Sequence, residues 1–159
     1  MKRAIVAGAL VLLMLAACSP VQRRDGTPSA LGASSSNLTG APTPEMAQLI
    51  EKYAREHDVP VSLVHRVVQR ESRYNPGARN GPYFGLMQML PQTAQTMGYR
   101  GAPAGLLDAE TNLNYGVKYL RGAWLVADGS QDRAVSWYSK GYYYEAKRRG
   151  LLRETGLRN

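Results

Sequence analysis

From Thr43 onward, apolar residues recur at intervals of three and four, the spacing that places side chains on one face of an α-helix. Met46, Leu49, Ile50 and Tyr53 form the first stripe. It follows Thr43-Pro44, an N-cap with proline at the first helical position. Asp58-Val59-Pro60 breaks this helix, and a second is predicted from Val61 to Arg73, with Leu63, Val64, Val67 and Val68 on its stripe. Asn75-Pro76 stops it, because a residue before proline avoids helical angles. A glycine-rich loop from Gly77 to Gly85 follows, and Pro91 opens a short helix to about Met97. Asp108 reads as the N-cap of a long helix striped by Leu113, Gly116, Val117, Leu120, Trp124 and Ala127. Ser130 caps another helix through Ser139, Gly141 ends it, and Tyr142 to Arg149 reads as the last. No stretch alternates convincingly with period two. The predicted class is mostly α, a compact set of short helices around one core.

The first residues follow a different pattern. Lys2 and Arg3 precede an almost unbroken apolar run from Ala4 to Leu15, and Ala16-Ala17-Cys18 follows. Basic start, apolar run and small residues are the three parts of a secretory signal, so residues 1–17 read as a signal peptide. The run is too short to be a comfortable permanent span. Cys18 is the only cysteine, which excludes an intramolecular disulfide. Leu-Ala-Ala-Cys resembles the bacterial lipobox, whose cysteine becomes the lipidated first mature residue. More than one acyl chain is what stable anchoring requires. In Gram-negative lipoproteins of this kind, Ser19 in place of aspartate favours the outer membrane. The expected location is the periplasmic side of the envelope, held through lipid on Cys18. The plain alternative is a chance cysteine in a cleaved leader. Residues 18–42 are rich in Ser, Gly, Pro, Thr and Ala, with Ser34-Ser35-Ser36 among them. Such a segment buries too little surface to offset its ordering entropy, and reads as a flexible tether. Residues 43–159 are the expected folded domain.

The net charge of the whole chain is +8. Residues 1–17 hold two of the twenty basic residues and none of the twelve acidic ones, so the remainder carries +6. A basic surface suits anionic partners. An exported chain rarely meets nucleic acid, so wall polymer or anionic lipid is the expected match and nucleic acid is not. Plain solubility is the bland reading of the same charge.

Glu71 extends the apolar stripe of its helix, after Val64 and Val67 or Val68. A carboxylate therefore points where the helix otherwise points valine and leucine. It also sits at the helix C-terminal end, where the macrodipole disfavours negative charge. Both effects raise a carboxyl pKa. An acid kept protonated near neutral pH is what glycosidic-bond cleavage needs, since the leaving oxygen must be protonated. The structural alternative is a helix-edge ion pair with Arg70, Arg73 or Arg79, and acidic residues are usually solvated.

The neighbouring motifs favour the first reading. Glu71-Ser72-Arg73-Tyr74-Asn75-Pro76, then Gly85-Leu86-Met87-Gln88, then Pro91-Gln92-Thr93-Ala94 resemble the lysozyme-like catalytic domain of soluble-type lytic transglycosylases. Val59-Pro60 and Leu63-Val64 match its lead-in helix, and Asn112 to Gly116 with Tyr119-Leu120 match a later segment. The resemblance runs from about Thr43 to Tyr144. It implies a lysozyme-like helical fold with a substrate cleft, peptidoglycan glycan strands as partner, and Glu71 as sole catalytic acid/base. It places Ser72 beside Glu71, facing the groove, and lets the backbone approach closely at Gly85. Met87 and Gln88 are expected to line the sugar cleft. Tyr119 and Tyr138 match groove tyrosines, with Tyr138 expected to hydrogen-bond near Glu71. Each has a structural alternative: Met87 and Tyr119 as core, Asn112 as a brace. The chain departs from the family pattern in a loop one residue shorter before Gly85, and in Trp137-Tyr138-Ser139-Lys140-Gly141. Tyr142, Tyr143 and Tyr144 could stack on sugars or simply pack.

The implied reaction cuts between N-acetylmuramic acid and N-acetylglucosamine and leaves a 1,6-anhydromuramyl end. It needs one carboxyl group, whereas glycosidic hydrolysis usually needs two. In Ser72 to Ala94 and Ser130 to Tyr144, Asp132 is the only acidic residue; Asp108 and Glu110 look like helix-start groups. A lysozyme-type hydrolase is one rival. A non-catalytic peptidoglycan-binding or secretion-assembly protein is the other. No cofactor is expected, and no metal, since His57 and His65 lack a ligand cluster. His65 is expected on the solvent face of its helix.

Replacing Cys18 by Ser should abolish lipid labelling and release the protein from membranes. Identical soluble fractionation of wild type and variant would show that Cys18 carries no anchor.

Overall fold

The computed structural model describes residues 40–158. The leader, Cys18 and the tether up to residue 39 lie outside the described residues. Six α-helices follow one another: α1 Pro44–Glu56, α2 Val61–Ser72, α3 Pro91–Thr96, α4 Ala109–Val126, α5 Gln131–Lys140 and α6 Tyr143–Arg148. A 3₁₀ turn, Pro103–Leu107, precedes α4. The predicted caps are present. Thr43 Oγ1 accepts from the Met46 N–H, Asp108 from Thr111 and Ser130 from Arg133, each satisfying an otherwise unpaired first-turn donor.

The long helix α4 is the centre. Leu113, Val117, Leu120 and Ala123 are fully buried along it. It packs against α1, α3, α5, α6 and the 3₁₀ turn, while α2 packs on α1 and α5. The α2 stripe, Leu63, Val64, Val67 and Val68, is buried as its spacing predicts. The fold is mostly α, as expected.

Three local features differ from the sequence expectation. First, α2 runs to Ser72, close to the expected Arg73, but what stops it is a left-handed reversal ahead of Asn75-Pro76. Arg73 and Tyr74 both adopt left-handed angles, φ 52° and 62°, at a cost of roughly 1–2 kcal/mol each for residues with a Cβ. The reversal folds the Tyr74 ring back on α2. Its hydroxyl lies 3.1 Å from His65 Nδ1, and the two rings meet edge-on. His65 is thereby half-buried under Tyr74 rather than fully solvated. Second, the loop contains a small antiparallel hairpin, β1 Arg79–Asn80 and β2 Tyr83–Phe84, continued by a bridge from Phe84 to Met89. Two-residue strands are too short to show a period of two in sequence. Third, the 3₁₀ turn has no apolar periodicity to announce it.

Asn112 ties these irregular segments to α4. It is fully buried. Its Oδ1 accepts from the Met87 N–H, and its Nδ2 donates to the Phe84 and Leu106 carbonyls, all at 2.8 Å. Gly85 lies over it with φ +74°, and a Cβ there would stand 2.4 Å from Asn112 Nδ2 and 2.3 Å from the Leu106 oxygen. The backbone can come this close only without a side chain.

Asn112→Ala should leave the Met87 N–H and the Leu106 carbonyl without partners, at about 1–3 kcal/mol each, and take from the Phe84 carbonyl one of two, since it also accepts from the Met89 N–H. A loss of about 3–5 kcal/mol in urea unfolding is expected, and Asn112→Asp, which keeps the acceptor but removes both donors, should be nearly as damaging. A loss below about 1 kcal/mol for the alanine variant would contradict this role.

Candidate active site

Glu71 is the penultimate residue of α2, and its side chain is 22% exposed. The valine stripe that buries the helix also carries this carboxyl to the edge of the core. Burial pushes its pKa above the ordinary carboxylate value, and the nearby Arg70 guanidinium pulls part of that back. Arg70 Nε stands 3.7 Å from Glu71 Oε1, beyond hydrogen-bond length. Of the alternative partners, Arg79 instead lies over the Phe84 ring, 4.5 Å from its centre.

Tyr138 comes from the facing helix α5. It is buried, and its phenol pKa is pushed well up, first by burial and then by the charge of Glu71 and by Tyr119. Its hydroxyl does not go to Glu71. It donates to the Met87 carbonyl at 2.7 Å and lies 3.4 Å from Met89 Sδ. This bond locks α5 to the turn that Asn112 holds from the opposite side. Tyr119, half-buried on α4, meets Tyr138 edge-to-face at 5.4 Å. Tyr142 completes the group: its ring lies 4.7 Å from Tyr119 and its hydroxyl donates to the Tyr119 carbonyl. Tyr142 packs rather than presenting a sugar face. Its slot exists because residue 122 is glycine; a Cβ there would be 2.2 Å from the Tyr142 hydroxyl. That glycine, inside a long helix, was the available signal.

The other expected residues divide. Gln88 is half-buried at φ 46°, and its Nε2 donates to the Gly85 and Ala78 carbonyls. It therefore closes the loop between the hairpin and the turn. Ser72 Oγ donates to the Val68 carbonyl, which caps the α2 backbone. Met87 is fully buried, with its sulfur against Gly116, where a Cβ would approach to 2.5 Å. Its side chain is core, which corrects the expectation that it lines a cleft; its carbonyl is what Tyr138 uses. Ser139 Oγ bonds back into α5, and Lys140 is exposed beside it.

The remaining acidic candidates are engaged elsewhere. Asp132 is 82% exposed and pairs with Arg66 at 2.5 Å. Arg66 precedes Glu71 by five residues, about 140° around the helix, so Asp132 faces a different side of α2. Glu110 is held by Lys52 and by the Tyr53 hydroxyl. Among the described residues no three His, Cys, Asp or Glu side chains converge as metal ligands would.

The family of transglycosylase SLT domains matches residues 48–151, from within α1 past the end of α6. The chain belongs to this family, and its helical fold is of the lysozyme-like type. Among curated proteins, the soluble lytic murein transglycosylase of Escherichia coli K12 is 35% identical over 81 residues, 46% of this chain and 12% of that protein. The soluble lytic murein transglycosylase of Salmonella typhimurium is 36% identical over the same shares. The chain thus covers about an eighth of the length of these relatives. No solved structure matches it.

The raised pKa of Glu71 has a thermodynamic consequence. The folded state holds this proton more tightly than the unfolded state, so its contribution is intact below the ordinary carboxylate pKa and is lost as pH rises through the raised one. Glu71→Gln removes the penalty. The variant should melt above wild type at neutral pH, and the gap should close on acidification below the ordinary carboxylate range. A gap of opposite sign at neutral pH would mean that the Arg70 pair, not burial, dominates.

Proposed function

We propose that this domain is a peptidoglycan lytic transglycosylase that cleaves the β-1,4 bond between N-acetylmuramic acid and N-acetylglucosamine, with Glu71 as acid and then base. The observation that carries the proposal is a carboxyl, 22% exposed, at the end of an apolar helix stripe and near enough to Tyr138 for its charge to act on that phenol, with Asp132 and Glu110 engaged by cations. Membership of the SLT family and likeness to two murein transglycosylases support the substrate class.

In this reading, protonated Glu71 gives its proton to the bridging oxygen as the bond breaks. Burial raises the carboxyl pKa and so favours the acid form. The carboxylate then takes the proton of the muramyl 6-hydroxyl, whose oxygen closes on the anomeric carbon. That nucleophile is tethered to the ring, so its effective concentration far exceeds that of a captured water. A water on the opposite sugar face would need its own base, and Asp132 and Glu110 are both held elsewhere. Tyr138 acts on Glu71 by position. It holds a buried, uncharged phenol near the carboxyl and fixes the Met87 carbonyl. Tyr119 and Gln88 are proposed to contact the glycan. Ser72 is proposed to act by ordering the end of α2. The setting proposed is the periplasmic side of the cell envelope, with lipid on Cys18 as the anchor.

Glu71→Gln should lose about two to four powers of ten in rate, the usual span for a positioned acid or base, while remaining folded. Near-normal turnover would remove Glu71 from the chemistry and revive a binding role. Wild-type products from purified peptidoglycan should carry anhydro ends, resist borohydride and take up no label from oxygen-18 water. A labelled, reducible muramyl end would mean hydrolysis and a second carboxylate still to be found.

A further inference from the structure

The last turn of α2 carries Glu71, and helix ends ordinarily fray because their final carbonyls lack intrahelical partners. Here the end is held. Arg73 donates its N–H to the Gln69 carbonyl, and Asn75 donates to the Ser72 carbonyl. Arg73 and Tyr74 take left-handed angles at this point, a conformation that residues with a Cβ keep only when their surroundings impose it. Arg73 is exposed, so its side chain adds little hold. Tyr74 supplies it. Its ring is half-buried against the core and meets the His65 ring edge-on, 5.9 Å between centres. Its hydroxyl lies 3.1 Å from His65 Nδ1 and 3.5 Å from the His65 carbonyl. The hydroxyl can donate to Nδ1, or accept from an Nδ1–H and donate to the carbonyl. Either arrangement keeps the ring in one place on α2.

This clasp spans the turn that carries Glu71. His65 stands seven residues before Ser72, on the same side of the helix, and Tyr74 stands three residues after Glu71. Unwinding the last turn would lengthen the path between the two rings, from about 1.5 Å per residue toward roughly 3.4 Å, and pull the phenol off His65. A frayed turn would also release the carboxyl from the edge of the core into water.

We propose that His65 and Tyr74 are positioning residues for Glu71: their clasp keeps the final turn of α2 wound, so that the carboxyl stays at the edge of the core. The bearing of this on catalysis rests on the acid/base reading of Glu71 above; the placement of the carboxyl does not.

The first test needs no turnover. The Glu71 carboxyl carbon is titrated by NMR in wild type and in Tyr74→Phe, Tyr74→Gly and His65→Ala. Its pKa, raised by burial, should fall toward the ordinary carboxylate value in all three, least in Tyr74→Phe. The sign is informative for His65→Ala, since loss of an imidazole charge alone would move a neighbouring carboxyl upward. Tyr74→Gly should keep its fold, because glycine takes φ 62° without strain and that offsets lost packing. The second test is cleavage of purified peptidoglycan. In His65→Ala and Tyr74→Gly kcat should fall roughly tenfold with KM nearly unchanged. H65A/Y74F should be no worse than His65→Ala alone, since both changes open the same clasp. His65→Gln, whose side-chain carbonyl can accept from Tyr74, should keep most of the activity. Arg73→Gly, which eases strain and leaves the clasp, should melt higher and turn over like wild type. A Glu71 pKa unmoved in the three variants, additive losses in the double variant, or kcat losses that only track the folded fraction would each overturn the proposal. A carboxyl that moves as expected in a protein whose wild type cleaves no glycan would instead sink the acid/base reading and leave the clasp standing.

Discussion

One buried amide holds the irregular half of this domain in place. Asn112 supplies an acceptor to Met87 and two donors to Phe84 and Leu106, so the end of the hairpin, the turn after it and the 3₁₀ turn are all fixed to the central helix α4. The Met87 N–H and the Leu106 carbonyl, buried without a partner, would each cost more than an ordinary hydrogen bond returns. The arrangement therefore has little freedom to drift. Gly85 is part of the same constraint, because its missing Cβ lets the turn sit directly on the amide. Tyr138 then bonds the Met87 carbonyl from the other side, and the position of Tyr138 beside Glu71 follows from that bond.

Glu71 itself is placed by opposing preferences. The valines before it draw α2 into the core, and the helix ends one residue later at two left-handed residues. The carboxyl is left where solvent is scarce and the helix dipole is unfavourable. Arg70 lies close enough to temper this and too far to cancel it. A carboxyl in such a place is poorly suited to stabilise the fold and well suited to hold a proton.

The C-terminal corner shows a different use of charge. Glu145, Asp128, Arg148 and Arg149 are matched and tie α6 to the turn that follows α4. The pair of Arg149 with the exposed Asp128 carboxylate contributes little stability by itself.

The helices, their caps and the place of Glu71 on the apolar stripe of α2 were legible in the chain, because a period of 3.6 and the capping residues are local properties. The motif spacing around Glu71, Gly85 and Gln88 likewise carried the family. The partners of those residues were not legible. Nothing local distinguishes a methionine that lines a groove from one that fills a core; Gly116, twenty-nine residues on, decided that Met87 is buried. The same holds for Tyr138, whose hydroxyl found a backbone carbonyl rather than Glu71, and for Tyr142, which entered the core through the slot at Gly122. The left-handed turn at Arg73 and Tyr74 is set by a ring folding back on His65. Sequence determines which faces want burial and which residue types can do chemistry. Which atom each polar group finally meets depends on contacts between segments far apart in the chain, and only tertiary packing decides those.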